Sequence, residues 1–297
     1  VENNKSVQLS GIVPPIITAF DRRGNVDEKA QREVVSFLKK KVQGFYACGT
    51  YGSGPLMDVA QRKQVAEIII DETQGEIPVV VHVGSPATAM SIDLAKHAEA
   101  AGATAVAAVP PFYFHHKEAE VLYHFQRLIE SVNLPVLIYN NPGTTGFSVS
   151  PQFLNTLAKA GLKGVKDSSF SVLTFYDYLR TVEPEDFAFI VGTEAFILPA
   201  VSMGAEASVA GLGNAIPEPV VELFQAVKAG ELERARLLQF KVLALRDIAH
   251  YGPSLVSVQV MLKARGVNAG YPKAPYRPAD EALREKVVSA LKKLNAL

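Results

Sequence analysis

The sequence predicts an α/β chain folded as a (β/α)8 barrel with additional C-terminal helices. Three observations point there. About eight short apolar runs follow one another, each continuous rather than alternating, as in strands buried on both faces of a parallel sheet. Each run ends in glycine, proline or small polar residues and leads into a stretch with helical spacing, so strands and helices alternate over about 220 residues. The competing fold, a doubly wound nucleotide-binding sheet, would show G-x-G-x-x-G after a strand. Here Gly49-Thr50-Tyr51-Gly52-Ser53-Gly54 has the wrong spacing, and no phosphate-loop lysine follows it.

In chain order, Gly11 to Phe20 is β-rich but interrupted by Pro14-Pro15, so it reads as a first strand that ends early in a rim loop. Asp27 then starts a helix through Val34, Val35, Phe37 and Leu38. Gly44 to Ala47 is a strand that meets the loop Cys48 to Pro55, and Asp58 caps a helix over Val59 to Thr73. Pro78 to Val83 is an almost pure β-branched strand, with a helix from Ala89 to Ala101. Ala103 to Val109 is the next strand, stopped by Pro110-Pro111, and Lys117 to Glu130 the next helix. The strand Pro135 to Tyr139 ends at Asn140-Asn141-Pro142-Gly143, and a helix from Pro151 to Lys159 precedes the strand that carries Lys166. A helix from Leu173 to Thr181, a strand from Phe187 to Val191, a short helix and a last strand within Ala205 to Ala210 follow. Only helical patterns remain: Val220 to Ala229, Leu232 to His250, Ser254 to Arg265 and Asp280 to Leu294. Residues 9–216 are therefore expected to hold the barrel strands and helices, and 217–297 the last barrel helix and a helical extension.

Composition narrows the function. Lys+Arg and Asp+Glu are both 30, so there is no electrostatic case for nucleic acid or an anionic membrane surface. Lys39-Lys40-Lys41 reads as a wetted helix end. No apolar run is long enough to span a bilayer, and Val1 to Ser10 is polar without a signal-like apolar core. With one cysteine, Cys48, an intrachain disulfide is impossible, and a reducing, cytoplasmic setting is expected. Cys48 itself reads as a small buried residue. The six histidines show neither H-x-H nor H-E-x-x-H, so no metal is expected, and His82, inside a strand, reads as a packed, hydrogen-bonded core residue.

In a barrel, chemistry collects at the C-terminal strand ends. Those ends carry Thr50 and Tyr51, His82 and Ser85, Phe112 and Tyr113, Tyr139 and Asn140, Lys166 and Asp167, and Thr193 and Glu194. Lys166 closes an apolar run. A lysine amine desolvated there has a lowered pKa and can attack a carbonyl to form a Schiff base; a solvated strand-end lysine is the plainer alternative. A tyrosine on the adjacent strand, Tyr139, can move protons at the reacting carbon, steadied by a hydroxyl such as that of Thr50. The glycine-rich turn from Gly49 to Gly54 exposes backbone N–H groups suited to a carboxylate.

Four segments taken together carry a family resemblance: Gly49-Thr50-Tyr51-Gly52, Tyr139 to Gly146, Gly164-Val165-Lys166-Asp167 and Gly192-Thr193-Glu194. Over about residues 9 to 295 the chain resembles the pyruvate-dependent class I aldolases that include dihydrodipicolinate synthase and N-acetylneuraminate lyase. The resemblance implies a barrel that assembles as a homotetramer and needs no cofactor. It implies Lys166 as the Schiff-base lysine, Tyr139 as general acid/base, and Thr50 as a relay to Tyr113, which would serve the neighbouring subunit. Gly192 and Val209, the latter through its backbone, would line the pocket. Two departures bear on the substrate. Tyr51 stands where the family has a short hydroxyl that helps hold the pyruvate carboxylate. Thr144 stands where dihydrodipicolinate synthases have an arginine for the aldehyde's carboxylate, and a threonine makes no bidentate pair. Gly52-Ser53-Gly54-Pro55 resembles the loop of 2-keto-3-deoxygluconate aldolases. The expected reaction is therefore aldol cleavage of a 2-keto-3-deoxy sugar acid to pyruvate, a small 2-keto acid, and an aldehyde. Dihydrodipicolinate synthase-type condensation with aspartate semialdehyde, N-acetylneuraminate lyase, a deoxy-sugar-acid dehydratase and a non-catalytic keto-acid binder are the alternatives.

Overall fold

The computed structural model describes residues 7 and 9–297. Most of the polar stretch before Leu9, read above for the lack of a signal-like core, lies outside the described residues. Eight parallel strands form one sheet: β1 (Gly11–Ile12), β2 (Phe45–Ala47), β3 (Val79–His82), β4 (Ala105–Ala108), β5 (Val136–Asn140), β6 (Gly164–Asp167), β7 (Ala188–Val191) and β8 (Ala207–Ser208). From β2 to β8 each strand pairs with the next in sequence, and β1 pairs with β8. The remaining seam is closed by backbone bonds: Gln43 donates to Ile12, Tyr46 to Pro14, and Ile16 to Tyr46. Pro14 lacks an N–H, yet only its carbonyl is asked for, so the two prolines shorten β1 without opening the barrel.

Helices α1 (Glu28–Leu38), α2 (Val59–Thr73), α3 (Thr88–Ala101), α4 (Glu118–Ser131), α6 (Pro151–Lys159), α7 (Val172–Thr181), α8 (Ile197–Ser202) and α9 (Pro217–Lys228) surround the strands; α5 (Pro142–Thr145) is a single turn after β5. Several starts are set by side-chain caps. Asp27, Asp58, Ser150 and Ser171 accept from the N–H groups of Ala30, Gln61, Phe153 and Thr174. Each such cap is worth about 1 kcal/mol. α1 buries Ala30, Val34, Val35 and Leu38, spaced three and four apart, against the strands. At its end Lys39 and Lys41 pair with Glu76 and Glu218. Three C-terminal helices complete the chain: α10 (Leu232–Ala249), α11 (Ser254–Ala264) and α12 (Glu281–Lys293). α10 packs along α9 and against the turn Glu194–Phe196, so the C-terminal helices reach the mouth of the barrel. Among the described residues no helix is long and apolar enough to cross a membrane.

Side chains alternate along each strand. Tyr46, Val80, Ala105, Ala107, Leu137, Tyr139, Ala188, Ile190, Ala207 and Val209 fill the barrel interior. Phe45, Val79, Val81, Val106, Val136, Ile138, Val165 and Val191 face the helices. The inner set contains small residues opposite large ones, which leaves space for polar side chains at the upper end.

The loop after β2 places Thr50 and Tyr51. Cys48 and Ser53 both adopt left-handed backbone, with φ of 57° and 56°. The loop is pinned by Ser53 N–H to Thr50 and Gly54 N–H to Gly49. A Cβ on Gly54 would lie 1.8 Å from the Cys48 carbonyl oxygen, a backbone atom that cannot rotate away. Gly54→Ala should therefore lower stability by about 2–3 kcal/mol, read as a reduced denaturation midpoint. An unchanged midpoint would mean that the loop is not held as described.

Candidate active site

Register brings the two central groups together. Tyr139 on β5 and Lys166 on β6 are paired positions of adjacent strands, and both point inward. Lys166 is 3% exposed. Its Nζ lies 3.6 Å from the centre of the Tyr139 ring and 4.2 Å from that of Tyr46. The two rings meet edge to face at 5.9 Å. Burial pushes the Lys166 pKa down, partly opposed by the Tyr139 phenol. For Tyr139, burial pushes upward, but the Lys166 ammonium and the Thr50 and Ser168 hydroxyls outweigh it and hold the phenol below its usual value. The Tyr139 oxygen is 3.4 Å from Thr50 Oγ1 and accepts from the Asn141 amide at 3.0 Å. A desolvated amine against a proton-carrying phenol is the arrangement needed for attack on a ketone and loss of water.

A cavity of about 240 Å³ opens above this pair at the C-terminal ends of the strands. Thr50, Tyr51, Tyr139, Thr144, Lys166, Gly192 and Val209 all border it. Gly192 matters through what it lacks, since a Cβ there would stand 2.1 Å from Ser168 Oγ and 2.6 Å from the Asp167 carbonyl. Tyr51 lies over Gly211, where a Cβ would come 2.5 Å from the Tyr51 ring. The absence of a side chain at position 211 leaves room for the Tyr51 ring. Burial raises the Tyr51 phenol, with Glu194 adding to the effect.

Other expected mouth residues go elsewhere. Asn140 and Asp167 follow inward residues, so strand alternation turns them outward, where Asn140 bonds both the Asp167 carboxylate at 2.7 Å and Tyr178 at 3.0 Å. Ser85 bonds Ser91 at the head of α3. Tyr113 does not border the cavity above Lys166; it is 85% exposed, in left-handed backbone at φ 82°, and packed edge-on to Phe114. His82 and Phe112 border a neighbouring cavity of about 250 Å³ that shares Thr50, Tyr139 and Thr144 with the first. His82 Nε2 accepts from the Val109 N–H, and burial with the charges of Arg62 and Lys166 keeps the ring neutral. Cys48 is buried, its thiol pushed up to about 11 by burial.

Sequence reading missed part of the cavity lining. Arg246 from α10, His250 just after that helix and Ser254 from α11 line the same cavity as Lys166. Arg246 lies 3.4 Å from the buried Glu194 carboxylate and under Phe170. Its Nε makes no well-formed hydrogen bond. These residues follow the last strand by many positions, and no strand-end rule points to them. Tyr46 was also missed, although its place inside β2 is the signal that would have found it.

A closed parallel barrel with a buried lysine and tyrosine at its C-terminal mouth is a Schiff-base-forming class I aldolase or lyase. The chain belongs to the dihydrodipicolinate synthetase family, whose model matches residues 8–294. It is 31% identical to the 4-hydroxy-tetrahydrodipicolinate synthase of Methanopyrus kandleri, over 98% of this chain and 98% of that one. It is 33% identical to a probable 2-dehydro-3-deoxy-D-pentonate aldolase of Escherichia coli K12, over 94% of this chain and 95% of that one. Among solved structures, the prophage protein YagE of E. coli K12 in complex with pyruvate superposes with a TM-score of 0.93 at 25% identity, covering 98% of this chain and all of that one (100%).

Because burial is the larger influence on Lys166, the rate of imine formation with pyruvate should rise with pH and level off below the ~10.4 of an ordinary lysine. Tyr139→Phe removes the influence that raises the amine, so its midpoint should fall further while the rate drops by about 10²-fold. The check is the pH profile of borohydride-trapped adduct by intact mass. A midpoint at or above that of free lysine would contradict a desolvated amine.

Proposed function

We propose that the protein makes or breaks a carbon–carbon bond between pyruvate and an aldehyde, through an imine on Lys166. The observation that carries the reading is the buried Lys166 amine held 3.6 Å over the Tyr139 ring at the floor of the mouth cavity. In condensation, Lys166 attacks C2 of pyruvate, and Tyr139 passes protons as the carbinolamine loses water. Loss of a C3 proton gives the enamine, whose C3 attacks the aldehyde carbon while the aldehyde oxygen takes a proton. Hydrolysis then frees the amine. Cleavage is the same sequence reversed, with the iminium as electron sink, so no step draws on a metal or organic cofactor. Thr50 positions the Tyr139 phenol, and the turn at Thr50–Tyr51 offers backbone N–H groups to the keto-acid carboxylate.

For the aldehyde, the synthase-type condensation comes first. The family's name and the M. kandleri relative favour it, and Arg246 gives it a physical basis. Thr144 makes no bidentate ion pair with a carboxylate, but a guanidinium with five N–H groups, only loosely engaged by Glu194, stands in the same cavity. The sugar-acid reading, first in the sequence analysis, is the second. It is favoured by the pentonate aldolase relative, by the neutral Thr144 and by Glu194, which suits hydroxyl groups. Borohydride trapping with pyruvate should add a reduced pyruvyl group to Lys166, and Lys166→Ala should abolish it with the fold intact. Adduct of equal yield in that variant would sink the reading. Turnover should then be compared for aspartate semialdehyde and glyceraldehyde. Arg246→Gln should raise KM for the carboxylated aldehyde about tenfold and leave trapping unchanged. No effect on that KM would favour the sugar-acid reading.

Tyr113 is proposed to act in the site of a neighbouring copy, since its exposed ring is unused in its own chain. Mixed oligomers of Lys166→Ala and Tyr113→Phe subunits should regain activity that neither variant has alone. Failure to regain any would argue against a shared site.

A further inference from the structure

A second cavity, of about 350 Å³, shares no lining residue with the catalytic cavity. Its floor is apolar: Val256, Val260 and Ala264 of α11, Val288 of α12, and Pro272 and Pro278 from the segment between them. Its polar lining is unbalanced. Arg22, Lys263 and Arg284 all border it, and no lining side chain is acidic. Several basic groups elsewhere on the surface are paired with a carboxylate, as in Lys63–Asp93, Lys159–Glu183 and Lys163–Asp186.

Arg22 and Lys263 are held by the Tyr271 ring and hydroxyl rather than by carboxylates, and Arg284 chiefly by a backbone carbonyl. The Lys263 ammonium stands 4.8 Å from the Tyr271 ring centre, and the Arg22 guanidinium 5.1 Å from the same centre. Arg22 Nε also donates to the Tyr271 hydroxyl at 3.1 Å. Arg284 is anchored by two N–H groups on the Ala279 carbonyl, at 3.0 and 2.8 Å. Its Nη1 reaches only the exposed Glu281, at 3.4 Å. Burial lowers the Lys263 pKa, and the nearby Arg284 charge lowers it further. Arg22, Lys263 and Arg284 are exposed at the rim of the hollow, where like charges gathered together repel one another and attract an anion. The volume lies in the range of small-molecule sites, and an apolar floor with one aromatic ring suits a carbon skeleton rather than a bare inorganic ion.

We propose that this cavity binds a small organic polyanion bearing two or three carboxylates, whose charged groups meet Arg22, Lys263 and Arg284 while its carbon chain rests on the valines and Tyr271. The site is independent of the reaction at Lys166. The test is calorimetry on the full chain with citrate, succinate and inorganic phosphate at matched ionic strength. Citrate should bind with saturating heat, weaken at high salt, and bind at least tenfold more weakly to Lys263→Met and to Arg284→Gln. Lys263→Arg should keep most of the affinity. Pyruvate trapping at Lys166 should be unchanged in all three variants, which shows that they fold. Citrate binding that is unaltered in Lys263→Met and Arg284→Gln would overturn the proposal, as would phosphate binding without citrate binding.

Discussion

The structure turns on the burial of one amine. An ammonium taken out of water loses several kcal/mol of hydration. The faces of Tyr46 and Tyr139 return about 2 kcal/mol when desolvated. Hydration loss is the larger effect, so the Lys166 pKa lies below the ordinary lysine range. Everything that makes this possible is architectural. The barrel has to close so that water is excluded, which is why the seam bonds through Pro14 matter. Small residues such as Ala105, Ala107 and Ala207 fill inner positions without crowding the larger rings. His82 has to stay neutral, because a second cation beside the amine would add repulsion to the desolvation it already bears.

Strand alternation protects the same arrangement. Asp167 is covalently next to Lys166, and its carboxylate would hold the amine as an ammonium if both side chains faced inward. The pleat turns it to the other side of the sheet, where Asn140 and Ser169 bond it and burial raises its pKa. Tyr178 completes the outer network by bonding Asn140 and the Val149 carbonyl. One strand therefore carries a candidate nucleophile on its inner face and a structural acid on its outer face. The period of two, rather than distance along the chain, keeps their electrostatics apart.

This also explains how far the sequence could be read. The strands were legible because each is buried on both faces and so continuously apolar, and helix starts were legible where Asp27, Asp58 or Ser150 could cap. Lys166 and Tyr139 were legible because they sit at strand ends, and Thr50 because it lies in the loop that follows one. The inward or outward sense of a strand-end residue was not, since a run without alternation hides its own phase. That is why Asn140 and Asp167 were placed at the mouth and Tyr46 was not. Arg246, His250 and Ser254 were out of reach for another reason: they come from helices beyond the last strand, and only tertiary packing of α10 against the Glu194–Phe196 turn brings them back.

The division between legible and hidden residues follows a division of chemical labour. Groups at the amine sit on strands, where register fixes them to within a fraction of an ångström and substitution disturbs the barrel itself. Groups that face the far end of the cavity sit on the loop after β2, on the single turn α5 and on α10, and can change while the strands stay as they are. Tyr51 illustrates the coupling such changes require, because its ring is admitted only by the missing side chain of Gly211. In the same way Thr144 brings no charge to the cavity, while α10 supplies the Arg246 guanidinium to its lining. A reading of acceptor preference from the α5 motif alone therefore samples one wall of a cavity whose charge is set by two.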